Sequence, residues 1–167
     1  MNRLFLALKA QLHDYNAFQS DFTGAIKGRW VASENLHLTM CYFGDTYGID
    51  ELLKRLPAVV EEIEPLTLTS LGYFEHNNIL YAKVKSKKLE ELQSSINSSF
   101  SLPNAKLFIP HVTLMRVKDI HNKKAFKYIL GSYKDKTIGT LDTTLELINS
   151  HLSPEGVRYE SVKRFES

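Results

Sequence analysis

The chain holds a single cysteine, Cys41. That excludes an intramolecular disulfide and any zinc site built on several thiolates. The expected compartment is a reducing cytoplasm. Long hydrophobic runs are missing too. The apolar stretch Leu4 to Leu8 falls far short of the ~20 residues of a membrane span. It is also too short for a signal peptide, and no small-residue cleavage site follows it. No membrane partner is expected. A strong charge of one sign is also absent, since 21 Lys and Arg face 19 Asp and Glu, for a net +2. A protein that coats long nucleic acid wants a larger basic excess. A local cationic pocket for one anionic group remains open. No low-complexity segment or flexible linker interrupts the sequence.

What is present is an ordinary globular composition: 167 residues, 43% hydrophobic and 24% charged. That length suits one domain, or two small lobes sharing a core. Residues 1–167 are expected to form a single domain of two intertwined lobes. Leu4 to Leu8 reads as a buried strand, and Leu8, Leu12 and Tyr15 recur at helical spacing after it. Ser33 to Phe43 reads as a strand ended by Gly44-Asp45. Ile49 to Ile63 carries the clearest amphipathic helix, with Pro57 set to kink or split it. Leu66 to Leu71 and Ile79 to Val84 are strands, the second returning as a hairpin arm after the turn His76-Asn77-Asn78.

Leu89, Leu92, Ile96 and Phe100 mark a further helix, and Pro103 ends any continuation. Leu107 to Val117 reads as a strand containing Pro110, which is tolerated only at an edge, a start or a bulge. Asp119 is placed to cap a helix carrying Ile120, Phe126, Ile129 and Leu130. Leu145 to Leu152 and Val157 to Phe165 form a last hairpin across Ser153-Pro154-Glu155-Gly156. Helices and hairpins in this mixed order predict an α+β fold.

A short motif occurs twice. Leu36-His37-Leu38-Thr39-Met40 is answered by Pro110-His111-Val112-Thr113-Leu114, close to half a chain later. From composition, roughly 0.4 His-x-Thr triplets would arise by chance. In a strand, alternate side chains share a face. His37 and Thr39 therefore project together, and so do His111 and Thr113, while Leu38, Met40, Val112 and Leu114 turn to a core. Two imidazoles and two hydroxyls that converge suit a phosphodiester. Hydrolysis needs a base for water and an acid for the leaving oxygen, and histidine titrates near neutrality. Threonine hydroxyls can donate to non-bridging phosphate oxygens as charge builds.

With these residues in hand, the chain resembles the two-histidine (2H) phosphoesterases, in particular the RNA 2′,3′-cyclic phosphodiesterases once described as 2′-5′ RNA ligases. The resemblance rests on Arg3-Leu4-Phe5-Leu6-Ala7-Leu8, on Arg29-Trp30-Val31, on Glu34 to Thr39 with Phe43-Gly44, and on Phe108 to Arg116. It implies two pseudo-symmetric lobes with antiparallel sheets flanking a central cleft and helices outside. It implies hydrolysis of an RNA 2′,3′-cyclic phosphate end to a 2′-phosphomonoester without metal or cofactor. It also implies the roles: His37 as proton donor and His111 as proton acceptor. Thr39, Thr113 and Arg116 would bind the substrate phosphate.

Arg116 stands five positions after His111, so strict alternation sets it on the opposite face. It reaches the cleft only if the strand is bulged or ends there. Trp30, Tyr42, Phe43 and Phe108 are candidates to stack on a base, with core the better reading for Trp30 and Phe43. Lys83, Lys85, Lys87 and Lys88 form a basic run, most simply a solvated strand end. The remaining histidines, His13, His76, His121 and His151, read as surface residues. Three rivals stay open. One is metal hydrolysis, although neither motif holds a carboxylate. Another is the same fold acting on a small cyclic nucleotide or a 2′-5′ oligonucleotide. The third is a non-catalytic RNA-end binding module. The expected partner is RNA or a nucleotide with a cyclic phosphate end, with no obligate protein partner and a monomeric state.

Overall fold

Strand β1 (Leu4–Leu12) alternates two kinds of surface. Leu4, Leu6 and Leu8 join the main core, whereas Phe5 and Ala7 belong to a separate small cluster with Ile148 and Tyr159. That split sets the layout of the whole molecule, described for residues 2–102 and 108–166 of a computed structural model. After β1 come α1 (Tyr15–Ser20), β2 (Ile26–Trp30), β3 (His37–Gly44), α2 (Ile49–Arg55), β4 (Leu66–Thr69), β5 (Leu71–Phe74) and β6 (Ile79–Lys83). The chain continues through α3 (Lys87–Phe100), β7 (His111–Ile120), α4 (Lys123–Ser132), β8 (Thr137–Ser153) and β9 (Gly156–Arg164).

The strands form one antiparallel sheet in the order β4-β8-β1-β3-β7-β6-β5, with β2 added on β7 and β9 on β8. The buried side chains of the helices, among them Phe18, Leu52, Leu92 and Phe126, pack on one face with Leu6, Leu38, Leu80 and Leu147. The other face carries the small cluster and both motif histidines. The fold is α+β, as the order of elements predicts. Its two halves meet where β3 touches β7, at the single bridge Leu38↔Val112. The chain weaves between them, for β1, β3, β4, β8 and β9 lie in one half and β2, β5, β6 and β7 in the other.

Several boundaries differ from the sequence reading. Leu8 and Leu12 stay in β1, and the helix starts only at Tyr15. The pull of sheet pairing on both sides of β1 overrides the local spacing. Strand β2 was not anticipated, because Gly28 interrupts it. A Cβ there would lie 2.2 Å from the Arg116 carbonyl oxygen, so only glycine lets β2 approach β7. Ser33–Asn35 is a 3-10 turn that feeds β3 rather than part of the strand. Pro57 ends α2 in the 3-10 turn Leu56–Ala58.

Asp119 lies within β7 and caps nothing. The cap of α4 is Asn122, whose side-chain oxygen accepts from the Ala125 N–H at 3.0 Å. The second motif strand begins at His111, and Pro110 stands just outside it, where its missing N–H costs no ladder bond. Pro103 and Leu107 lie outside the described residues. No helix among those described is long and apolar enough to cross a membrane.

Candidate active site

The bridge Leu38↔Val112 joins the middle residues of the two His-x-Thr motifs. Antiparallel register then sets His37 toward Thr113, and Thr39 toward His111, on the face away from the helices. The positive charge of His111, when protonated, is close enough to disfavour protonation of His37. The register thus sets the four predicted polar side chains on one face of two neighbouring strands.

Each strand then does the same unexpected thing. In β3 the pairing with β1 steps from Thr39 to Cys41, leaving Met40 unpaired. In β7 the pairing with β6 steps from Thr113 to Met115, leaving Leu114 unpaired. Two consecutive residues are buried at each step, Met40 with Cys41 and Leu114 with Met115. These are β-bulges, and a bulge reverses the facing of everything beyond it. Arg116 is therefore exposed on the face of His111, where its cross-strand partner in β6 is Ile79. Tyr42 returns in the same way to the face of His37 and is 56% exposed.

The two imidazoles are held alike. His37 Nδ1 lies 2.7 Å from the carbonyl oxygen of Asn35, and His111 Nδ1 lies 2.7 Å from that of Ile109. A carbonyl oxygen only accepts, so each Nδ1 carries a proton and donates it. Among the described residues neither Nε2 has a hydrogen-bond partner, which leaves each to exchange a proton with a bound ligand. Aromatic rings fix both planes. His37 sits 5.1 Å from Phe5 and 5.3 Å from Tyr159. His111 sits 5.1 Å from Phe74 and 5.6 Å from Tyr81, which themselves stack at 4.0 Å. Gly72 permits that stack, since a Cβ there would lie 2.3 Å from the Tyr81 ring.

Electrostatics differ between the halves. Burial pushes the pKa of His37 below its ordinary value, the Asn35 carbonyl opposes this, and His111 adds to it. A cavity of ≈ 230 Å³ opens beside His37, lined by Lys9, Asn35, Glu146, Ile148 and Tyr159 among others. Glu146 is 1% exposed, and Lys9 at 3.7 Å and Arg164 at 3.3 Å balance its charge. Burial raises the Tyr159 hydroxyl pKa, while the charges of Arg116 and Arg3 pull it back, which sets two guanidiniums around that ring. Arg3 Nη1 is buried without a hydrogen-bond partner among the described residues. An orphaned guanidinium nitrogen beside a site that would take an anion is a ready contact for it.

Phe5, Tyr159, Phe74, Tyr81 and Arg3 escaped the sequence reading as site residues. Phe5 was hidden in a run that looks buried on both faces, although its alternation with Leu4 and Leu6 carried the signal. Of the proposed stackers, Phe43 is core, and Trp30 and Phe108 pack against the core. Only Tyr42 faces the cleft. Cys41 is buried, its thiol pushed up to about 12, and is no nucleophile at neutral pH. Among the described residues, no three His, Cys, Asp or Glu side chains gather as a metal site would require.

Paired histidines with matched threonines, raised on adjacent strands of an antiparallel sheet, are the arrangement that the resemblance to the two-histidine phosphoesterases implies. The chain belongs to the 2′-5′ RNA ligase superfamily, whose family model matches residues 8–152. An RNA 2′,3′-cyclic phosphodiesterase of Methanocaldococcus jannaschii is 30% identical over 176 residues, covering 98% of this chain and 99% of that one. A protein of the same name from Aquifex aeolicus is 28% identical, over 84% and 82% of the two chains. Among solved structures, E. coli LigT complexed with 3′-AMP superposes with a TM-score of 0.72 at 21% identity, covering 98% of this chain and 96% of that one. It shares the fold.

Proposed function

We propose that the chain hydrolyses RNA 2′,3′-cyclic phosphate ends to 2′-phosphomonoesters by metal-independent acid–base catalysis. The observation that carries this reading is the matched pair of Nδ1-anchored imidazoles on adjacent strands, neither with a hydrogen bond at Nε2 among the described residues. The names of relatives similar over nearly the whole chain support the substrate class. His111 takes the proton of the attacking water. The water oxygen bonds to phosphorus in line with the 3′ ester oxygen, and that P–O bond breaks. His37 gives its proton to the departing 3′ oxygen, and a 2′-phosphate remains. Thr39 and Thr113 donate to the non-bridging oxygens, and Arg116 supplies a cation beside them.

The donor set supports a metal-free reaction, since two imidazoles with hydroxyls fall short of the three protein ligands usual for catalytic zinc. One copy of the chain supplies both histidines, so the reaction requires no second subunit.

One observation favours the opposite split of roles. Burial lowers the pKa of His37, which favours the neutral form that a base requires. The negative charge of a bound phosphodiester acts the other way and restores the imidazolium. The proposed roles therefore rest on His37 gaining its proton together with the substrate.

The test is incubation with excess EDTA on an RNA oligonucleotide ending in a 2′,3′-cyclic phosphate. The expected product is heavier by one water and carries a 2′-phosphate. An unchanged RNA end, with turnover of a small cyclic nucleotide or a 2′-5′ linkage instead, would overturn the substrate assignment. Activity abolished by EDTA and restored by a divalent cation would overturn the metal-free chemistry.

A further inference from the structure

Beyond the histidines, the basic run Lys83 to Lys88 resolves into separate parts. Lys88 is taken by Glu61 at 2.9 Å. Lys87 opens α3 and faces elsewhere. Lys83 and Lys85 instead line a groove of ≈ 670 Å³ with Lys134, Thr67, Thr69 and Ser70, at the seam where β4 hands over to β5. No ion pair engages any of these three lysines among the described residues. The groove holds one carboxylate, Asp135, against three ammonium groups. Ser70 Oγ accepts from the Asp135 N–H at 2.8 Å and keeps its own proton to donate. Its volume lies within the range of small-ligand sites, about 300–1,000 Å³.

One lining residue of the groove, Lys83, adjoins the candidate site. Lys83 is the cross-strand partner of His111, and Tyr81, which flanks the His111 ring, is two residues before it on the same face. A chain bound with its terminal phosphate at the histidines would pass Lys83 on its way out. Leu71 and Leu130 complete the wall, and no aromatic ring among the described residues lines it to stack on a base, so the three lysines and the hydroxyls fit a backbone phosphate better.

We infer that this groove is a subsite for an internal backbone phosphate of single-stranded RNA, lying 5′ of the cyclic end. The inference rests on the function proposed above and deepens it, for it makes a strand rather than a mononucleotide the favoured substrate. The subsite reads charge, so it carries no base preference.

The test uses a labelled RNA hexanucleotide ending in a 2′-phosphate, with binding followed by anisotropy between 50 and 200 mM salt. Turnover of the matching cyclic-ended hexanucleotide is compared with that of a nucleoside 2′,3′-cyclic phosphate. In K85E/K134E, hexanucleotide affinity should fall about tenfold or more. The salt dependence should flatten by about 0.7 for each lost phosphate contact. The ratio of hexanucleotide to mononucleotide kcat/KM should collapse. K85Q/K134Q should show the same direction with a smaller loss, and it answers for the site if charge reversal disturbs folding. Unchanged hexanucleotide affinity in both variants overturns the subsite. So does an equal loss on the mononucleotide, which would place the lysines at the cleft. A wild-type protein that binds the hexanucleotide through these lysines yet opens no cyclic phosphate would sink the proposed reaction and leave the subsite standing.

Discussion

In the β3 half the imidazole lies between Phe5 and Tyr159, and in the β7 half it lies between Phe74 and Tyr81. Both rings donate from Nδ1 to the carbonyl two residues back, and both strands bulge just beyond the threonine. The halves part at the residue each bulge delivers to the cleft, Tyr42 on one side and Arg116 on the other. They part again at the walls. His37 is backed by the sealed pair Phe5 and Ile148 and the buried Glu146, whereas β6 leads from His111 past Lys83 into an open cationic groove. A duplicated scaffold thus yields two imidazoles of the same tautomer in unequal surroundings. Acid and base catalysis from one residue type requires that inequality.

Removing either imidazole tests the shared part. His37→Ala and His111→Ala should each cost about 10²–10⁴-fold in kcat, the worth of one positioned proton transfer. Neither should lower Tm appreciably, because both side chains are partly exposed and face the cleft. A variant keeping near wild-type turnover would break the paired mechanism. Thr39→Ala and Thr113→Ala should cost less, about 10²–10³-fold at most, the loss seen for one transition-state donor. The fall should appear in kcat more than in KM.

The unshared part is smaller and one-sided. Arg116→Ala should raise KM about tenfold or more through loss of a charge-assisted contact, and Arg116→Lys should recover only part of it. Tyr42→Ala, at the matching position, should change KM far less. Equal effects at the two positions would contradict the asymmetry. The smallest effect is a titration. Free His37 should lose its proton as pH rises through a value below the ordinary 6.5 or so of an imidazole. Bound 2′-phosphate should move that value upward, because an anion favours the charged ring. NMR of the imidazole Hε1 signals against pH checks both, and a His37 pKa unmoved by the product would contradict its role as acid.

The motif pair, its face and the α+β class were legible in the sequence because strand alternation and local pattern specify them. The reach of Arg116 was legible only as a condition, since a bulge is a property of the paired strand, visible once β6 and β1 lay alongside. The aromatic walls and Arg3 were illegible for a related reason. Phe5 meets Tyr159 across most of the chain, and Tyr81 meets His111 only because Gly72 leaves room beneath its ring. Strand β2 was missed because its glycine looked like a break, whereas it is the residue that makes the pairing with β7 sterically feasible.

The central claim is that the two histidines are an acid and a base, divided in the stated order. An aryl phosphodiester with a good leaving group separates these roles, because its leaving oxygen needs no proton. Measured on that substrate against the RNA cyclic phosphate, His37→Ala should regain most of its lost rate while His111→Ala stays impaired. Rescue of His111→Ala with no rescue of His37→Ala would contradict the account and assign the base to His37.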